Sequence, residues 1–463
     1  MRLEYTGLSE MQGSLVALDG VSDVSFDELA EITLGNGERR FGRVITIDGD
    51  KVILQVFEGT DGIDMENVNT RFTGKPISMP LSKEILGRIF NGAGKPLDGL
   101  REVFPDERRN INGSAINPVC RRYPRSCIMT GISAIDATST LIRGQKLPIF
   151  SGAGMSHNEL AAQIVRQAHM MSDDEEFAIV FCAMGVKNDT AEFFKKDFQE
   201  SGALGRVVMF LNMASDPIIE RILAPRCALT AAEYLAFRHG YHVLVVLTDM
   251  PSYCEALREF SSSKGEIPSR KGFPSYMYSD LASIYERAGL IEGQKGSVTQ
   301  VPILTMPNDD ISHPIPDLTG YITEGQIVLS RDLEQKGIYP PVAILPSLSR
   351  LMKDGTGEGN TREDHGDLSN QLFASYSAVA DARSLASVIG EDELSELDKQ
   401  YVRFGERFER EFICQGDREN RSIEQTLDLG WKLLGTLPRN ELGRVSDKLL
   451  DKYYKPAEAE IME

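Results

Sequence analysis

Between about residue 81 and residue 350 the chain alternates apolar runs of strand length with stretches of helical periodicity. The runs are Lys146–Phe150, Ala178–Ala183, Val207–Asn212, His242–Asp249 and Val298–Met306. Runs that are apolar on both sides need cover on both faces, and helical crossovers supply it, so the pattern predicts a parallel α/β sheet. The helix after the first run is marked by Leu160, Ile164 and Ala168 at a spacing of four, and it starts directly after a glycine-containing loop. A strand, a glycine loop and a helix N-terminus in that order are the usual geography of a phosphate-binding site.

The flanking segments read differently. In the first seventy or so residues, Leu29–Leu34 and Arg43–Ile47 flank Asn36-Gly37, and Asp48-Gly49-Asp50 leads into Lys51–Phe57. These are hairpin signals between short strands, and they predict a small β-barrel over residues 1–75. A Gly/Pro-rich stretch from Gly74 to Pro80 marks its end. The nucleotide-binding-fold domain is then expected over 76–355. The polar, glycine-rich segment Lys353–Asp364 is expected to be a loop too polar to pack. Beyond it, Leu368, Leu372 and Tyr376, then Ile423 and Leu427 followed by Trp431 and Leu434, give a helical domain over 356–463.

Composition narrows the function classes. The 463 residues suit about three domains at roughly 150 residues each. With 41% hydrophobic and 26% charged residues, the chain is a globular protein and not a disordered one. The strongest apolar run, Val243–Leu247, is far shorter than the roughly 18 residues that span a bilayer. Met1-Arg2-Leu3-Glu4-Tyr5 lacks the apolar stretch of a secretory signal, so a cytoplasmic location is expected. Fifty basic against 69 acidic residues leave a net charge of −19, which opposes nucleic acid and anionic lipid as partners. Cys120, Cys127, Cys182, Cys227, Cys254 and Cys414 form no CxxC pair, and the six histidines form no HExxH, so neither disulfides nor a structural metal is expected.

The loop Phe150-Ser-Gly-Ala-Gly-Met-Ser-His-Asn-Glu-Leu160 stands where a P-loop would. A working loop needs a lysine on the β- and γ-phosphates and a hydroxyl on Mg²⁺. Here Ser151 and Ser156 take the glycine places, His157 the lysine place and Asn158 the hydroxyl place. Gly152 and Gly154 retain some capacity for a backbone anion nest. Hydrolysis at this loop is not expected, and an ordinary strand-to-helix turn stays open as an alternative. His242–Asp249 has the form of a Walker B strand, although apolar strands ending in Asp are common in α/β domains. After Gly185 the chain carries Lys187 and no immediate carboxylate that could activate water.

Several blocks in order then resemble one family. They are Phe57-Glu-Gly-Thr60, Thr130-Gly-Ile-Ser-Ala-Ile-Asp136, Arg143-Gly-Gln-Lys-Leu-Pro-Ile-Phe-Ser-Gly152, Leu229-Thr-Ala-Ala-Glu-Tyr-Leu235, Leu304-Thr-Met-Pro307, Ile315-Pro-Asp-Leu-Thr-Gly-Tyr-Ile-Thr-Glu-Gly-Gln326 and Leu345-Pro-Ser-Leu-Ser-Arg350. Over nearly its whole length the chain resembles the non-catalytic B subunit, or beta chain, of V-type and archaeal-type rotary ATPases. It departs from that family at Met155-Ser156, where Leu-Pro is usual, and at Ser275, where glycine is common.

The resemblance implies a barrel, a RecA-like P-loop-NTPase fold and a helical domain in that order. It implies three such chains alternating with three catalytic A subunits, a central rotor shaft, peripheral stalk subunits, and attachment to the membrane only through an ion-translocating sector for H⁺ or Na⁺. ATP or ADP with Mg²⁺ would lie at the interface, bound mainly by the A subunit. Arg350 aligns with the family's arginine finger, and Tyr321 with a position near the same interface that suits a packing tyrosine equally well. By residues alone, Arg350 is indistinguishable from a solvated surface arginine. Two other classes remain. A self-sufficient ring ATPase, such as a protein-export ATPase or a Rho-like helicase, would need Lys and Ser/Thr in the loop. A pure ring scaffold would take no part in chemistry.

Overall fold

The computed structural model describes residues 4–172 and 175–456. Met1-Arg2-Leu3 of the N-terminal segment therefore lie outside the described residues. The first part is a seven-stranded antiparallel sheet. Across it run Glu4–Thr6, Val68–Pro76, Glu28–Leu34, Arg39–Asp48, Lys51–Val56, Leu15–Leu18 and Glu10–Gln12. It curls around Val16, Leu18, Ala30, Ile32, Val44 and Leu54, all nearly inaccessible to solvent. The two predicted turns hold: Gly37 and Gly49 adopt φ of +83° and +62° between paired strands.

In the central sheet the strands lie in the order Val342–Ser349, Gly325–Leu329, Ile149–Gly152, Ser297–Met306, His242–Thr248, Phe177–Val186, Val207–Met213 and Ile89–Asn91. Neighbours along this path are parallel except for Val342–Ser349, which runs antiparallel to Gly325–Leu329. The period of two sorts the side chains onto two faces. Ile179, Phe181, Val207, Met209, Leu244 and Val246 join a core with Leu160, Phe194, Leu368 and Leu427. Val180, Cys182, Val208, Phe210, Val243 and Val245 join another with Leu223, Leu257 and the barrel residues Ile45 and Phe57. One face of the sheet thus continues into the C-terminal helices and the other into the barrel. Each fully buried Val, Leu, Ile or Phe contributes roughly 1.5–3 kcal/mol, so both flanking parts are tied to the sheet through its apolar faces.

Three details differ from the sequence reading. The first central strand begins at Ile149 and not at Lys146. Pro148 has no N–H to donate, and Lys146 keeps only an isolated bridge to Gln300. The edge strands Gly325–Leu329 and Val342–Ser349 and the short strand Ile89–Asn91 are additional to those expected. The segment Lys353–Asp364 does pack at its end. Asp364 is fully buried, accepts from Trp431 Nε1 at 2.6 Å and pairs with Arg362 at 2.6 Å. A buried carboxylate with two such partners anchors a segment that composition reads as loose.

The C-terminal part holds helices His365–Ile389, Glu396–Arg407 and Ile423–Leu434. Leu368, Leu372, Ile423, Leu427, Trp431 and Leu434 are all buried, and Phe404, Phe408 and Phe412 stack with centroids 5.6 and 4.9 Å apart. Ser422 and Gln425 close a reciprocal capping box at the last of these helices. The multidomain α/β arrangement is the one expected.

Candidate functional site

The predicted site residues separate into two groups at opposite ends of the central sheet. Gly152 ends the strand Ile149–Gly152, and Gly154, His157 and Asn158 follow it. Arg350 follows the edge strand Val342–Ser349, whose last residue lies opposite Gly325. Because Ile327 pairs with Ile149, Gly325 is level with Leu147. At about 3.3 Å per residue, the backbone of Arg350 and the loop are roughly 16 Å apart along the sheet.

Part of the loop is engaged by its own chain. The Ser156 amide donates to Glu334 Oε1 at 2.9 Å, the Gly152 amide points at Met155 Sδ at 3.2 Å, and the Met155 amide reaches the Gly152 carbonyl at 3.3 Å. Arg331 Nη2 donates to the Ala153 carbonyl at 3.1 Å while its guanidinium pairs with Asp309 at 2.7 and 2.8 Å. Asp309 packs so closely that a Cβ at residue 152 would stand 2.0 Å from its Oδ1. A phosphate nest needs free N–H groups converging on an empty anion-sized space. Here a carboxylate from the helix Arg331–Gln335 takes an amide and a second carboxylate crowds the glycine.

His157 Nδ1 lies 3.3 Å from Ser151 Oγ. Asp249, at the end of the Walker B-like strand, accepts from the Thr305 amide at 3.0 Å. Burial raises its carboxyl above the usual range, and the Thr305 hydrogen bonds and the nearby His157 ring only partly oppose that. Lys187 is exposed. Among the described residues no group of three or more His, Cys, Asp or Glu is placed to hold a metal ion.

The arginine end is built differently. The Arg350 side chain is exposed, and its Nη1 makes one long contact to the Thr323 carbonyl at 3.4 Å. Its backbone is held by an amide hydrogen bond to the Glu324 carbonyl at 2.9 Å. Tyr321, two residues before Thr323 on the helix Pro314–Ile322, is 74% exposed. Beneath lie Gln145, Lys146 and Glu324, to which sequence reasoning assigned no role. They were visible only as members of the blocks beginning at Arg143 and Ile315. Glu334, Arg331 and Asp309 carried no signal, since pairing across the sheet end is a tertiary fact.

Fold and site together define a nucleotide-binding-fold protein whose strand-to-helix loop is met by its own carboxylates and whose exposed arginine stands at a sheet edge. Residues 131–349 match the ATP synthase alpha/beta family nucleotide-binding domain, residues 8–74 its beta-barrel domain, and residues 354–454 the C-terminal domain of V and A type ATP synthase. The V-type ATP synthase beta chain 2 of Clostridium tetani is 62% identical over 457 residues, covering 98% of this chain and 99% of that one. The corresponding V-type ATP synthase beta chain of Halothermothrix orenii is 61% identical over 452 residues, covering 98% of each. The solved structure of an ATP synthase subunit from Nanoarcheaum equitans superposes with a TM-score of 0.73 at 41% identity, over 92% of this chain and all of that one. The chain belongs to the V-type ATP synthase beta chain family, whose archaeal members are the A-type B subunits. Among the described residues no helix is long and apolar enough to cross a membrane.

Proposed function

We propose that this chain is the non-catalytic, regulatory subunit of a rotary V-/A-type ATPase or ATP synthase. Three copies alternate with three catalytic A subunits, and each lends Arg350 to the nucleotide held by its neighbour. The observation that carries this reading is the split site: the loop is occupied by Glu334 and Asp309, while Arg350 is exposed roughly 16 Å away at a sheet edge. A guanidinium so far from its own loop serves a phosphate outside this chain.

The loop residues Gly152, Gly154, His157 and Asn158 do not fit ATP with Mg²⁺. They offer neither a lysine nor a hydroxyl in the metal-binding place, and the Ser156 amide is already taken by Glu334. The nucleotide and its metal are therefore held mainly by the A subunit. Arg350 fits the interface. Its planar, permanently charged fork can make paired hydrogen bonds to phosphate oxygens and offset charge that develops as the phosphoryl group transfers. Tyr321 stands on the same edge and contributes contact surface. Rotation passes through the helical domain to the central shaft, the peripheral stalk holds the ring, and H⁺ or Na⁺ moves in the membrane sector. The chain is cytoplasmic and meets the membrane only through that assembly.

Steady-state ATP hydrolysis by the chain alone, by its mixture with the A subunit, and by that mixture carrying Arg350→Ala tests the reading. Activity that needs the mixture and falls about 10³- to 10⁵-fold with Arg350→Ala is expected. Full activity of the mutant ring would leave a pure scaffold. Hydrolysis by the chain alone would return the self-sufficient ring ATPase.

A further inference from the structure

Arg350 itself has almost nothing to hold its side chain, so where its guanidinium reaches is set by where its backbone sits. That backbone rests on an ionic chain centred on one buried lysine. Lys146 is 3% exposed. Its Nζ lies 2.8 Å from Glu286 Oε1 and 2.8 Å from Glu324 Oε1. Its amide donates to Glu324 Oε2 at 2.9 Å, and its carbonyl accepts from the Glu324 amide at 3.1 Å. Glu324 is thus gripped at both carboxylate oxygens and at its own N–H by one residue. Its carbonyl then receives the Arg350 amide at 2.9 Å and Gln145 Nε2 at 3.0 Å, and Gln145 Nε2 also reaches Ser349 Oγ at 2.9 Å. On the far side, Glu286 Oε2 is held by Arg121 Nη2 at 2.6 Å. Next to Glu324, Gly325 adopts φ +142°, and a Cβ there would stand 2.3 Å from the Leu348 carbonyl, so the two edge strands meet at backbone contact.

The geometry points to Lys146 and Glu324 as the positioning residues of Arg350: buried Lys146, paired with half-buried Glu324, fixes the peptide that accepts the arginine's amide. This rests on the reading of Arg350 as the residue donated to the neighbouring nucleotide. Neither side chain touches the reacting atoms. They act by fixing one Cα position, and a misplacement of about 1 Å at a catalytic contact can cost about 10²-fold in rate. The ammonium of Lys146 also keeps the Glu286 and Glu324 carboxylates from repelling each other, which an apolar side chain cannot do.

The test uses the reassembled ring with the A subunit and compares Lys146→Met, Glu324→Leu and Glu324→Gln, each with and without Arg350→Ala. Glu324→Leu and Lys146→Met should lower kcat about 10- to 100-fold with KM for ATP changed by less than about twofold, since a transition-state contact and not ground-state binding is lost. Glu324→Gln, which keeps an acceptor for the Lys146 amide, should recover most of the rate. In the Arg350→Ala background, Glu324→Leu should cause no further loss, because the residue through which it acts is gone. Ring mass and thermal midpoint are read for every variant. If Lys146→Met fails to assemble, the Glu324 pair decides, since that side chain is 29% exposed and its replacement buries no unpaired charge of its own. An equal loss with and without Arg350, or unchanged kcat in Glu324→Leu, would overturn the proposal and leave the donated-arginine reading standing. Full turnover in Arg350→Ala alone would overturn that reading, and this proposal with it.

Discussion

Glu334 Oε1 accepts the Ser156 amide at 2.9 Å, so the N–H that would face a phosphate at the start of the helix His157–Gln167 already faces a carboxylate. The positive end of that helix dipole is likewise met from within the chain. On the proposed reading, a lysine put back at position 157 would still meet that carboxylate.

It follows that His157→Lys with Asn158→Thr should not restore ATP binding. The two carboxylates would still repel a triphosphate and the Ser156 amide would still be taken. Adding Glu334→Ala and Asp309→Ala should open the nest and bring measurable affinity. Isothermal titration of the isolated chain with Mg-ATP reads this directly. Micromolar binding by the two-residue variant alone would show that the internal carboxylates do not matter.

Much of the fold was legible because apolar periodicity reports burial. The alternation through Val243–Leu247 and Ala178–Ala183 sorts directly onto the two faces, and the turns at Gly37 and Gly49 need the left-handed backbone that glycine supplies. The edge strands Gly325–Leu329 and Val342–Ser349 escaped because their buried positions alternate with half-buried or exposed ones and so give no continuous apolar run. The packing of Asp364 escaped for a different reason. Its partners Trp431 and Arg362 neutralise a polarity that composition alone counts as solvated. At the candidate site, the altered loop could be read residue by residue, but its occupation by Glu334 and Asp309 needed the third dimension.

A pH dependence sits where the barrel meets the central domain. Burial pushes the Glu220 carboxyl up to about 7, with Asp216 and Glu58 adding to the rise and Lys95 opposing it. Asn91 Nδ2 lies 3.2 Å from both carboxylate oxygens. The folded pKa is above the unfolded value of about 4.3, so between those pH values the native state binds the extra proton. Stability from this group is greatest below about pH 4.3, falls as pH rises towards 7, and is level above that. Glu220→Gln mimics the protonated form. It should leave the thermal midpoint unchanged at pH 4 and raise it at pH 8, as read by circular dichroism melts. An equal shift at both pH values would contradict the assignment.

Tyr321 offers a contrast between fold and assembly. A side chain that is 74% exposed contributes little to the chain's own stability, so Tyr321→Ala should change it by less than about 0.5 kcal/mol. Exposed tyrosines at interfaces bury large area when a partner arrives. The same variant should therefore weaken association with the A subunit, measured by surface binding or ring assembly at limiting concentration. A lowered melting temperature with unchanged association would make Tyr321 a packing residue after all.

Arg350→Lys separates charge from geometry. Lysine keeps the positive charge but presents a compact ammonium on a flexible stem, without the planar fork that pairs with two phosphate oxygens. The Arg350 backbone would stay where Glu324 holds it, and the exposed side chain has no packing to lose. The thermal midpoint and ring assembly should be unchanged while kcat of the assembled ring falls by about 10²-fold or more. Single-turnover hydrolysis with bound ATP isolates the chemical step from product release. If Lys supports turnover near that of Arg, a point charge suffices and the paired hydrogen bonds assigned to Arg350 are not used. If the loss equals that of Arg350→Ala, the fork carries the whole effect.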